Sequence, residues 1–237
     1  MSHSLIAQES LQEKLDELDH IGFGWIYDNF DQAKAEAKER NQPIFALFRW
    51  VPWEACLSFD GQVVRQNSEL ADLVGQFVKV RLVHMRDIDL AQFQFDYDLT
   101  WAVVFLNTDG TVYGRYGSRS AEGPMAYNSI PSLKKAMERV LDLHQDYPAN
   151  RSRLVGKNQP NPRWKKVKEI PGLRERMQKQ LNQPVGPRNC IHCHNIYDGW
   201  RNTAYDQDTF KTEDLWLYPL PENIGLKIDV DEGNVIE

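Results

Sequence analysis

The stretch Pro43-Ile44-Phe45-Ala46-Leu47-Phe48-Arg49-Trp50-Val51-Pro52-Trp53-Glu54-Ala55-Cys56-Leu57-Ser58-Phe59-Asp60 decides the fold. Its opening is a short, nearly continuous apolar run, which predicts a strand buried on both faces. A loop carrying Trp50 and Trp53 then leads to Cys56, and a helix is predicted from near Cys56 to Arg65.

Upstream, Asp31 to Arg40 is rich in the helix formers Ala, Glu and Lys, with Asn41 and Pro43 as stops. Farther back, Leu5, Leu11, Leu15 and Leu18 fall near one face of a predicted amphipathic helix, Ser4 to Leu18. Downstream the reading gives a short helix from Ser68 to Val74 and an alternating strand from Phe77 to Val83. A short helix is predicted from Asp89 to Phe95, and an apolar strand from Trp101 to Leu106. Asn107-Thr108-Asp109-Gly110 is a turn signal leading into a fourth strand, Thr111 to Tyr116. A last helix, Pro131 to His144, has Ser129 and Pro131 at its start. Strands alternating with helices imply an α/β fold, a mixed sheet covered on both faces.

Beyond Tyr147 the texture changes, with prolines at 148, 160, 162, 171, 184 and 187. One helix is predicted there, about Gly172 to Leu181, and a further strand from Ile224 to Val230. The expected organisation is an N-terminal helix (1–22), the α/β domain (23–147) and a basic, proline-rich linker (148–188). A small irregular or helical cysteine-containing appendage (189–218) and a tail (219–237) follow.

The net charge of −6 argues against a general nucleic-acid binder. It is unevenly spread: Pro148 to Arg188 holds eleven Lys or Arg against Glu169 and Glu175. That segment reads as a solvated linker helix, as a surface for an anionic partner, or as a segment in contact with the acidic body of the chain itself. No apolar run approaches the ~18 residues of a membrane helix, and the start, MSHSLIAQES, shows no secretory signal pattern.

Cys190-Ile191-His192-Cys193-His194 is the sharpest chemical signal. In haem c attachment two thiols form thioethers to the vinyl groups and the following histidine binds the iron. The expected cofactor is therefore haem c on Cys190 and Cys193, with His194 as iron ligand and Met177 as a candidate sixth ligand. Zinc, a redox disulfide and a purely structural pair are the alternatives, although a structural zinc site wants four ligands.

The stretch from Phe45 to Asp60 resembles the strand, active-site loop and helix of thioredoxin-like proteins. In that family two cysteines, two residues apart, open the helix, and a cis-proline faces them. The resemblance places Cys56 at the second cysteine, Trp53 at the first, and Trp101, preceded by Thr100, at the proline. It implies a degenerate active-site groove of Trp53, Thr100 and Trp101. Dithiol exchange needs one thiolate to attack and a second to resolve, so dithiol oxidoreductase activity is not expected; Cys56 remains a candidate lone thiol. The wider layout, with Leu99-Thr100-Trp101-Ala102-Val103-Val104-Phe105-Leu106, then Asn189 to His194, then Tyr218 to Leu226, resembles bacterial thioredoxin/PDZ-domain (seleno)proteins. The PDZ domain would be represented only by its first strand.

The function expected from these readings is redox or electron transfer through haem c beside a degenerate thioredoxin-like domain, with a protein redox partner. A non-catalytic thioredoxin-fold module binding a peptide, or a single-thiol oxidoreductase acting through Cys56, are the alternatives. Attached haem implies a periplasmic or otherwise extracytoplasmic setting; the other readings imply a cytoplasmic one.

Overall fold

The computed structural model describes residues 24–49, 57–64, 68–158, 161–181, 183 and 191–233. The predicted helix at 4–18, the loop with Trp50 and Trp53, Cys56 and Cys190 lie outside them. The strands are β1 (Ile26–Tyr27), β2 (Ile44–Arg49), β3 (Val78–Leu82), β4 (Trp101–Leu106) and β5 (Val112–Tyr116). The helices are α1 (Phe30–Arg40), α2 (Leu57–Val64), α3 (Ser68–Val74), α4 (Ile130–Gln145), α5 (Glu175–Leu181) and α6 (His194–Asp206). The sheet runs β1-β3-β2-β4-β5. Strands β1 and β2 pair with β3 in parallel, while β4 pairs with both β2 and β5 antiparallel.

Side chains alternate across a strand, so a fully apolar strand supplies two cores. From β2, Ile44, Ala46 and Phe48 enter one core, while Phe45 and Leu47 enter the other. The second core is closed by α2, α3 and α4 through Phe59, Val63, Leu70, Val74, Leu133, Met137 and Val140. Helix α1 gives the first Ala33 and Ala37, with Phe30 packed against it, and further cover comes from later in the chain. Val167, Ile170, Leu173, Ile191, Ile196 and Tyr197 all close it.

That packing corrects the expectation of a solvated linker: Val167, Ile170 and Leu173 are buried, and Leu90 N–H donates to the Lys165 carbonyl at 2.7 Å. The helix expected there is shorter, beginning at Glu175 rather than Gly172. The helix expected at Asp89 to Phe95 is a set of turns. The Asp89 carboxylate accepts from Ala91 N–H at 2.8 Å, a local bond that competes with helix formation. Phe93, Phe95 and Tyr97 then reach the core at alternate positions. The strand expected at Ile224 to Val230 is absent as well. A short 3₁₀ turn, Pro221–Ile224, ends at Gly225 in the left-handed region, and Asp229 then caps Asp231 and Glu232. Ser129 caps α4 as expected, accepting from Ser132 N–H.

Candidate functional site

Two places answer the sequence expectations. The first is where β2 ends beside the start of β4, at the Arg49–Trp101 pair. Cys56 immediately precedes α2 in the chain, and both it and Trp53 fall outside the described residues. Trp101 does not line an open groove: it is 1% exposed. Its ring meets Phe59 of α2 edge-on at 4.9 Å, and its indole N–H donates to Asp60 Oδ1 at 2.8 Å. Thr100 is buried beside it, with its hydroxyl 3.5 Å from Met125 Sδ.

Asp60 joins a buried charge cluster that motif reading missed. Its Oδ2 accepts from the guanidiniums of Arg49 and, at 2.8 Å, Arg81. All three side chains are at most 2% exposed. Breaking such a group by removing one member leaves buried charge uncompensated, which typically costs about 3–5 kcal/mol. The signal available in sequence was the arginine at the end of one strand and inside another, both otherwise buried on two faces.

The second place is the start of α6. Cys193 occupies its N-cap and His194 its first turn. His194 Nδ1 lies 3.3 Å from Asp98 Oδ1, and Arg201, two turns on, lies 3.5 Å from Asp98 Oδ2. Burial opposes ionisation of Asp98, but the His194 hydrogen bond and the charges of Arg119 and Arg201 outweigh it, holding the carboxyl below its usual range.

Of the Cys-X-X-Cys-His motif, Cys193 and His194 are described, and Cys190 lies outside the described residues. The Cys193 side chain packs against the first core. Burial pushes its thiol up to about 12, away from the thiolate that bonding chemistry uses. Met177, the candidate sixth ligand, also packs against this core, where its thioether fills space. Among the described residues no three His, Cys, Asp or Glu side chains gather to hold a metal ion.

Beside α6 lies a cleft of about 880 Å³. Tyr197, Trp200, Arg201 and Ala204, on one face of α6, form one wall. Phe95, Tyr97, Trp164 and Tyr218 contribute to the rest, and Cys193 and His194 are not among its lining residues. Tyr97 packs edge-on against Tyr197 and Trp200 at 5.3 and 5.6 Å.

Residues 25–108 match a family model described as thioredoxin-like. This span runs from β1 through β4, four strands of the mixed five-stranded sheet that β5 completes, and the domain is thioredoxin-like. No match was found among curated proteins or among solved structures. Among the described residues no helix is long and apolar enough to cross a membrane.

Proposed function

We propose that this protein is a thioredoxin-fold binding module that works without dithiol exchange. The observation that carries this reading is Trp101. A bulky indole stands where the family's proline would face the thiols, buried against Phe59 and tied to Asp60. Trp53 stands where the attacking thiol belongs. A fold with the exchange position filled and one of its two sulfurs missing retains surface for recognition and little means of cycling a disulfide.

The test is reduction of insulin disulfides by the purified full chain with dithiothreitol as electron source. The expected result is no rate above that of the reductant alone, unchanged by Cys56→Ser. A rate that Cys56→Ser abolishes establishes the single-thiol enzyme instead.

Electron transfer through haem c is the second reading, and two features favour it. One is the spacing from Cys190 to His194. The other is the Asp98 carboxylate on His194 Nδ1, the kind of partner that orients a metal-binding imidazole. The core position of Cys193 weighs against it. An extracytoplasmic location and kinship with thioredoxin/PDZ proteins belong to this reading. Expression beside a haem c maturation system decides it: a Soret band with a haem-sized mass increase would replace the binding-module reading, and a colourless product of unmodified mass retires haem c.

A further inference from the structure

The cleft beside α6 presents aromatic walls and arginine side chains. Trp164 and Trp200 both line it, their rings stacked on one another 30° apart in tilt with centroids at 6.4 Å. The Tyr197 ring on the same wall lies under the Arg201 guanidinium at 5.4 Å.

The cleft is lined by three cations, Arg163, Arg201 and Lys211. Arg163 lies over the Trp164 ring at 4.5 Å and donates to the neutral Gln207 side chain, with no carboxylate partner among the described residues. Arg201 shares Asp98 with Arg119 and His194. Three acids, Asp208, Glu213 and Asp214, line the same cleft and, like Arg163, are exposed.

We infer that this cleft binds a planar aromatic carboxylate, its ring against Trp164 and Trp200 and its carboxylate toward Arg201 and Arg163. Flat apolar walls select a ring system, since aromatic groups gain from offset or edge-on packing beyond the area they bury. Guanidinium groups present paired donors that match a carboxylate in geometry and charge. A cleft of this volume, mostly apolar with a few converging polar groups, has the ordinary form of a small-molecule site. This inference rests on the binding-module reading and names its ligand class.

The test uses the full chain and naphthalene-2-carboxylate as probe, followed by isothermal calorimetry and tryptophan fluorescence. The expected result is one site per chain with quenched fluorescence. Methyl naphthalene-2-carboxylate, planar but uncharged, and cyclohexanecarboxylate, charged but not planar, should each bind about tenfold more weakly or worse. Arg201→Gln and Arg163→Gln should each cost about tenfold, and Trp200→Leu should remove the quenching. Arg201 also meets Asp98, so Arg163→Gln carries the test if Arg201→Gln fails to fold. Absence of binding, equal binding of the ester, or binding unchanged in Arg163→Gln would overturn the inference. Insulin reduction with probe binding intact would instead remove the non-catalytic reading and leave the cleft standing.

Discussion

Asp28 ends β1 in the left-handed region, at φ 46°, and turns its carboxylate inward. Oδ1 accepts from Val83 N–H at 2.8 Å and His84 N–H at 3.2 Å. Those bonds fasten the chain after β3, and Met85 N–H donates in turn to the Ile191 carbonyl, so the Cys-X-X-Cys-His segment hangs from this loop. Burial raises the Asp28 carboxyl to about 7 despite the two amides and the nearby Arg86 charge. Between its ordinary 3.8 and about 7 the folded chain binds this proton and the unfolded chain does not, so its contribution to stability falls as pH rises through that window. His84 and His192 act in the opposite direction. Burial lowers both to about 4, so stability is lost as pH falls from about 6.5 toward 4. Asp28→Asn isolates the first effect, because Asn keeps the acceptor and tolerates the left-handed backbone. Urea unfolding should find variant and parent close to equal near pH 4. At pH 8 the variant should be more stable, on the order of 2–4 kcal/mol. Equal stability at pH 8 would show that the ionised carboxylate is fully compensated.

At the scale of elements, α6 is held by an approach that only small residues permit. Gly172 N–H donates to Thr203 Oγ1 at 2.8 Å, and that hydroxyl donates to the Gly199 carbonyl at 2.7 Å. A Cβ on Gly172 would stand 2.3 Å from both Gly199 O and Thr203 N, and one on Gly199 would meet Ile170 Cγ2 at 2.8 Å. Gly172→Ala must therefore push α6 off the 170–173 turn, at a typical overpacking cost of about 1–3 kcal/mol. Hydrogen exchange should show amides of residues 194–206 losing protection while those of β2 and β4 keep theirs; uniform loss across both would refute a local lock. This seam also marks where sequence reading stopped. Strands β2 and β4 were legible because apolar runs of that length announce themselves, β3 because its residues alternate, and α4 because Ser129 and Pro131 mark its start. The 89–95 turns were misread because Asp89 satisfies backbone donors locally, which composition does not reveal. Helix α6 had no capping residue of the usual kind to mark its start, since Cys193 makes no side-chain cap bond. Of the candidate site, the motif from Cys190 to His194 was legible, but not the direction of Cys193, which depends on residues brought in from distant segments. The Arg49–Asp60–Arg81 cluster was likewise hidden, being assembled from three elements.

For the whole molecule, the two faces of the sheet differ in where their cover comes from. One is closed chiefly by α2, α3 and α4, within the first 147 residues, with Leu154 added from beyond them. The other depends on Val167, Ile170, Leu173, Ile191, Ile196 and Tyr197, each at most 5% exposed. Burying a side chain of this kind contributes about 1.5–3 kcal/mol, so six together contribute on the order of 10 kcal/mol. A single domain's entire stability is about 5–15 kcal/mol. The segments after Tyr147 are thus structural parts of the folded core, whatever chemistry they also carry. A chain ending at Tyr147 should leave Ile44, Ala46, Phe48 and their neighbours open on that face. It should bind anilinonaphthalene sulfonate and melt without a cooperative transition, whereas a chain ending at Tyr218 should melt cooperatively. If the shorter chain instead melts sharply within a few degrees of the full-length protein, the first core closes without its late-arriving residues. The assignment of those six side chains as indispensable cover then fails.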